Sequence, residues 1–308
     1  MTTLSNMIDE VSMNLSGYTL QQDRATYITA AVTTTTSPSS APTILTLASA
    51  DNLGKGVVEI DEELLWIDNF DRVGNTATIA PYGRGYLGTT AATHAADAKV
   101  TISPTFPRFA IKRAINDTIS AIGASIFAAS TTTITSNAAV SAFRLPATGT
   151  TLNIRSILSV AYQALGASKE WIPIRTYRFD GNANSTAFTS GQTISIYDVI
   201  PSGRTIQVVY STDPVPFTTN ADVFTTQTGL PESCKDVIIL GATYRLLSNL
   251  DPARASMISP QADEVDAKRP YGSSQSITKQ IYALFNQRLN EEIKGQQDNY
   301  PIRVHYSL

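Results

Sequence analysis

Apolar residues recur at helical spacing in four places along the chain, and at strand spacing between them. Leu4, Met7, Ile8, Val11 and Leu15 share one face of a first helix, with Thr2 or Thr3 as its cap and Gly17 past its end. Ile111, Ile115, Ile119, Ile122 and Ile126 stripe a second helix, which Thr105-Phe106-Pro107 opens with proline near its first turn. Val237, Ile238, Gly241, Tyr244 and Leu247 share a face of a third, opened by Leu230-Pro231 and stopped by Asp251-Pro252. Ile277, Ile281, Leu284, Phe285, Leu289 and Ile293 stripe a fourth, which Gly295 is expected to end.

Between these stripes the period shortens. Residues 18–32 read as extended, and residues 33–42 as a Thr/Ser/Pro spacer too poor in apolar residues to pack. Residues 43–103 carry short apolar runs separated by turn signals at Gly54-Lys55-Gly56 and Val73-Gly74-Asn75, which predict a compact barrel or sandwich. Residues 128–228 repeat the pattern on a larger scale, with strands expected over 154–162, 171–174, 176–179, 193–197 and 205–210. After Pro301 the period is two: Ile302, Val304, Tyr306 and Leu308 face one way, and Arg303, His305 and Ser307 the other. No hairpin mate follows this strand, so it is expected to pair with an edge elsewhere or on another chain.

The order is helix, β segment, helix, β segment, helix, loop, helix, tail. Single helices bracketing each β run predict an α+β fold: a four-helix bundle carrying two all-β insertions, with an extended C-terminal tail. The bundle is expected from residues 1–32, 105–128 and 229–299. The small β module is expected over 33–104, the larger over 129–228, and the tail over 300–308. A long segment at 253–273 holds Arg254, Asp263, Glu264, Asp266, Lys268 and Arg269, and unstructured loops of this length are usually functional.

Composition narrows the function classes. The chain of 308 residues is 42% hydrophobic and only 16% charged, with a net charge of -3, so global charge does not attract nucleic acid. Cys234 alone builds no disulfide framework, and no run of eighteen apolar residues reads as a membrane span. Met1-Thr2-Thr3 lacks the start of a signal peptide, so synthesis and folding in a cytoplasm are expected.

Candidate chemistry is sparse. Gly83-Arg84-Gly85-Tyr86-Leu87-Gly88 has dinucleotide-loop spacing but no helical stripe after it, so a tight glycine-rich turn is the expected role. Glu59, Asp61, Glu62, Glu63, Asp68 and Asp71 lack the spacing of a calcium loop and read as the solvent face of an alternating strand. His94 and His305 are too far apart in sequence to suggest a zinc site, and Cys234 reads as a small buried residue. No catalytic, cofactor or metal constellation is expected, and no enzyme activity.

Four stretches carry a family resemblance. They are Phe106-Pro-Arg-Phe-Ala-Ile-Lys-Arg-Ala-Ile-Asn-Asp, Leu240-Gly-Ala-Thr-Tyr-Arg-Leu-Leu with Asp251-Pro-Ala-Arg, Leu284-Phe-Asn-Gln-Arg-Leu-Asn-Glu-Glu with Tyr300-Pro-Ile-Arg, and Gly83-Arg-Gly-Tyr-Leu-Gly-Thr-Thr-Ala-Ala-Thr-His. The first three resemble head-to-tail adaptor (connector) proteins of tailed bacteriophages. The fourth resembles a β element of phage neck and tail proteins. The resemblance implies a virion protein of the neck, forming a ring of commonly twelve copies between portal and tail and lining the DNA passage. Its partners would be the portal protein, a tail or nozzle protein, its own copies, and collar or fibre proteins, with no membrane and no sequence-specific nucleic-acid binding. It implies a portal-docking tail at Tyr300, Pro301, Ile302, Arg303, Val304, His305, Tyr306 and Leu308. Arg254, Asp263, Glu264, Asp266, Lys268 and Arg269 are the ring-interface candidates. The alternative expectation is a β-rich attachment protein that stacks host glycans on Trp171, Tyr177 and Tyr197.

Overall fold

A computed structural model describes residues 1–17, 23–35, 43–137, 139–146, 153–165, 169–248 and 273–301. In chain order the elements are α1 (Leu4–Ser16), β1 (Arg24–Tyr27), β2 (Ile44–Thr46), β3 (Gly56–Ile60), β4 (Glu63–Asp71), β5 (Thr76–Ile79), β6 (Lys99–Ile102) and α2 (Arg108–Ile122). There follow β7 (Ala128–Thr135), β8 (Ala142–Arg144), β9 (Ile154–Gln163), β10 (Trp171–Pro173), β11 (Tyr177–Asp180), β12 (Thr193–Ile196), β13 (Thr205–Thr212), α3 (Phe224–Thr228), α4 (Lys235–Ser248) and α5 (Ser273–Asn299). The chain divides into two compact units. One comprises residues 1–4, 116–238 and 283–308, the other residues 5–115 and 239–282.

The unit built on 5–115 and 239–282 contains one antiparallel sheet of six strands in the order β1-β6-β3-β4-β5-β2. Its outer strands meet: Ile28 bridges Leu47, the Thr29 N–H donates to the Thr46 carbonyl at 2.8 Å, and the Ala48 N–H to the Tyr27 carbonyl at 2.8 Å. This pairing brings the two sheet edges together, as in a small barrel. Val58, Ile60, Leu65, Ile67, Ile79 and Val100 lie in its core, with Ile28 and Leu47 from the junction. Asp61-Glu62 forms the two-residue turn between β3 and β4, with Asp61 at φ 56, the left-handed conformation such hairpins require.

The unit built on 1–4, 116–238 and 283–308 contains two sheets. One has the order β10-β9-β13-β7 and the other β11-β12-β8, all pairs antiparallel. Their inward residues, among them Ile134, Val160, Ile194, Ile206 and Val208, make a second core. The Asn116 side chain donates to the Phe217 carbonyl and accepts the Phe217 N–H, both at 3.0 Å, and so tethers α2 to the segment after β13.

The expectation of a four-helix bundle is overturned. Among the described residues the fold is β-rich, with thirteen strands in three sheets and five α-helices, one only five residues long. The physical reason lies in α5. A bundle needs every helix to contribute a buried seam, but of the fourth predicted stripe only Ile281 is buried, while Ile277 and Leu284 are 36% and 45% exposed. The stripes of α1 and α2 are buried as predicted, and so is that of α4 except for the half-buried Tyr244. Periodicity identifies a face that is covered, and says nothing of whether a helix or a sheet covers it.

The fourth helix also runs past Gly295 to Asn299, and the Tyr300 N–H still donates to the Gln296 carbonyl at 2.9 Å. Gly295 has no left-handed φ, and a Cβ there would meet nothing within 4 Å. It is an ordinary helical glycine, and Pro301 is the residue that stops the ladder. Gly295→Ala is expected to stabilise the protein by roughly 0.5–1 kcal/mol, read from the midpoint of urea unfolding. A fall in the midpoint would mean that Gly295 serves as the helix terminator after all.

Candidate functional site

The clearest cluster of chemically capable side chains forms where the β3–β4 hairpin meets the glycine-rich loop. Glu63 is the first residue of β4, and its side chain is wholly buried. It is opposite Ile60 in the hairpin. Arg84 donates to it twice, from Nε to Oε1 at 2.7 Å and from Nη2 to Oε2 at 2.8 Å. The backbone N–H of Gly85 donates to Oε1 and that of Ala92 to Oε2, each at 2.9 Å. His94 Nε2 approaches Oε2 at 2.9 Å, while its Nδ1 faces Asp61 Oδ2 at 2.8 Å. Arg84 also donates to the carbonyls of Thr34 and Ala92.

The loop's backbone follows from these contacts. Gly83 sits where a Cβ would come within 3 Å of two carbonyl oxygens, those of Ala80 and Trp66. Gly85 is left-handed at φ 60, and a Cβ there would strike the Thr89 carbonyl at 2.6 Å. Thr89 Oγ1 accepts the Leu64 N–H and donates to the Tyr86 carbonyl, both at 3.0 Å. The His94 and Val32 backbones pair in both directions, at 2.8 and 2.9 Å. The outer side of the loop is apolar. Tyr86 packs on Trp66 with ring centroids 5.2 Å apart, and Leu87 is 69% exposed although its φ is 55.

The expected tight glycine turn is present, and it holds an anion. The anion is the chain's own Glu63 carboxylate, bound by backbone N–H groups and a guanidinium, the donor types that a dinucleotide loop offers to phosphate. Burial raises the proton affinity of Glu63, but hydrogen bonds from Arg84, His94, Ala92 and Gly85 outweigh it and hold the carboxyl at about 2. Burial lowers that of His94, and Glu63 and Asp61 override it, raising its pKa above the ordinary value. Glu63, Arg84 and His94 are enclosed and hydrogen-bonded to one another, and only Asp61 of the cluster reaches solvent. The cluster's chemistry is structural: it joins the hairpin, the glycine loop and the segment at 32–34.

The acidic run is a solvent face only in part: Asp61, Asp68 and Asp71 are exposed, whereas Glu59 and Glu63 are buried. Glu59 is 4% exposed and accepts the N–H of Arg108, the first residue of α2, at 2.5 Å. It satisfies one of the donors that a helix start leaves open. Burial pushes this carboxyl up to about 7, opposed by the Arg108 hydrogen bond and charge. Strict alternation fails here because Val58, Glu59 and Ile60 are buried in succession, as are Glu63, Leu64 and Leu65. Strands covered on both faces carry no polar/apolar alternation.

The other predicted positions separate into seen and unseen. Tyr300 lies at the end of α5 with its ring 5.8 Å from that of Phe127, and Pro301 is exposed. Ile302, Arg303, Val304, His305, Tyr306 and Leu308 lie outside the described residues, as do Arg254, Asp263, Glu264, Asp266, Lys268 and Arg269. Cys234 is buried, and burial first, then the charge of Glu292, pushes its thiol up to about 12, which suits a packing role. Trp171 and Tyr197 are 40% and 60% exposed, whereas Tyr177 packs against the core. The Glu63–Arg84–His94 network was not anticipated. The available signal was an Arg between two glycines with a His ten residues on, near acids that a two-sided strand would turn inward.

Loss of the Glu63 carboxylate is expected to strand Arg84 in the interior. Glu63→Gln should cost roughly 3–5 kcal/mol, read by urea unfolding in a Trp171→Phe background where Trp66 alone reports. The pH dependence has a definite sign. A carboxyl depressed from 4.5 to about 2 contributes stability that is full above pH 4.5 and lost as pH falls through about 2. The loss amounts to about 3 kcal/mol. Glu59, raised to about 7, acts oppositely and costs stability as pH rises from 4.5 through 7. The parent protein should therefore show both limbs, and Glu63→Gln only the second. An unchanged acid limb in Glu63→Gln would assign that limb to other groups.

A family model described as SU10 adaptor protein matches residues 87–305, more than two thirds of the chain. The match begins inside the glycine-rich loop, includes β7 to α5, and extends into the C-terminal segment. No curated protein matches the chain. No helix among the described residues is long and apolar enough to cross a membrane. The chain belongs to the SU10 adaptor protein family and is a structural, adaptor-type component of a bacteriophage virion.

Proposed function

We propose that the protein is a head-to-tail adaptor that assembles as a ring, commonly of twelve copies, between the capsid portal and the tail. The observation that carries this reading is the adaptor-family match, which reaches into the C-terminal segment. The ring surrounds the DNA passage, and the protein acts there by position, without catalysis. A net charge of -3 supports this, since a strongly basic wall would hold DNA by its phosphates. The alternating segment Ile302-Arg303-Val304-His305-Tyr306 docks on the portal by adding a strand, with Tyr300 and Pro301 at its root. From Pro301 to Leu308 the chain can span about 26 Å when extended, enough to reach a neighbouring subunit.

The test is truncation after Pro301, which spares the contact of Tyr300 with Phe127. The truncated protein should fold, show the parent's urea midpoint, and fail to add a coaxial ring of density to portal-bearing particles in electron microscopy. Ring density that persists after truncation would overturn the docking role. Absence of ring density with the full chain would overturn the adaptor placement.

The exposure of Trp171 and Tyr197 favours one second reading, attachment to host-surface glycans through stacking on aromatic faces. The full chain on a glycan array should then bind, and Trp171→Ala should lose at least tenfold in affinity. No binding by the full chain removes this reading.

A further inference from the structure

The charge state of His94 follows from what surrounds it. The ring side chain is 1% exposed, and both its nitrogens face carboxylate oxygens, Asp61 Oδ2 at 2.8 Å and Glu63 Oε2 at 2.9 Å. A neutral imidazole has one N–H and one lone pair. In either neutral tautomer, one nitrogen lone pair would therefore point at an anionic oxygen at hydrogen-bond distance with no proton between them. Only the imidazolium donates on both sides.

The charge count agrees. The hairpin brings Asp61 and Glu63, the glycine loop brings Arg84 and His94, and residues 32–35 (Val-Thr-Thr-Thr) bring no titratable side chain. With His94 charged, two anions meet two cations. With it neutral, an excess negative charge remains against a buried centre.

We propose that His94 is a standing imidazolium at neutral pH, and that loss of its proton is an alkaline release that frees the tip of the β3–β4 hairpin from the glycine loop. The two carboxylates differ in what they can do without the proton. Glu63 is fully enclosed and keeps its donors, whereas the Asp61 side chain is 62% exposed and water can replace His94. The remaining proton therefore stays on Nε2 toward Glu63, and the Nδ1 lone pair repels Asp61. Release is local: Arg84, Gly85 and Ala92 continue to hold Glu63 while the Asp61-Glu62 turn lets go. Glu62 in that same turn pairs with Lys112 of α2 at 3.2 Å, so the release also loosens a contact to the helix. The raised proton affinity of His94 accords with this picture.

The experiment is a pH titration of the ring nitrogens by ¹⁵N nuclear magnetic resonance in a His305→Gln chain, which leaves His94 as the single histidine. At pH 7 both nitrogens are expected to carry protons, and raising the pH should give the neutral form with its proton on Nε2. Asp61→Asn should move the midpoint roughly one pH unit or more lower. Asparagine is well suited to the left-handed φ at that turn, so this variant is expected to fold. A neutral ring at pH 7 in the parent overturns the proposal, as does a neutral form protonated on Nδ1. Should Asp61→Asn not fold, the parent titration still decides the charge state and the tautomer. A midpoint unmoved in folded Asp61→Asn overturns the role of Asp61.

Discussion

A carboxylate with no access to water needs its charge answered on every side, and in this protein the answer organises a whole unit. Glu63 receives a bidentate guanidinium, two backbone N–H groups and a histidine, drawn from residues 84–94. Arg84 and His94 in turn reach the carbonyl of Thr34 and the backbone of Val32. Three stretches distant in sequence are thus fixed around one side chain. Ion pairs of this kind are seldom strong sources of net stability, because desolvation offsets attraction. Their effect is specificity of arrangement: few other placements of the loop would satisfy all these donors.

The closed sheet and this network are complementary. Junction of β1 with β2 brings the open edges of the six-stranded sheet together around a cluster of buried aliphatic residues. The polar cluster lies with the hairpin start and the loop, where the backbone departs from regular pairing. Glu59 plays a parallel part at the start of α2, where it accepts an otherwise open N–H. The acidic residues of the hairpin are therefore divided by position. Glu59 and Glu63 are interior and hydrogen-bonded, while Asp61, Asp68 and Asp71 remain at the surface.

Much of the local structure was legible in the sequence. The stripes of α1, α2 and α4 and the strands over 154–163, 193–196 and 205–212 follow the apolar periods. The architecture was not, because a stripe such as Ile111-Ile115-Ile119 reports burial and not what buries it. β7 carries no strand signal, since Ala-Ala-Ser-Thr-Thr-Thr-Ile-Thr holds a single large apolar residue, although β13 pairs along its full length. The sequence leaves the role of Gly295 open, because a glycine near a helix end is equally compatible with the interior, and the choice rests on φ. The buried cluster was hidden by a reasonable rule, that acids alternating with aliphatics face water, which fails for strands covered on both sides.

Leu87 stands out when viewed as a matter of mutational history. It holds a left-handed backbone that glycine or asparagine would adopt with less strain, and it points a large apolar side chain into solvent. Random substitution therefore has easy routes to a calmer residue at this site. A population drifting under selection for folding alone would tend to take them, so continued occupancy by leucine would mark the loop tip as answerable to something outside the fold.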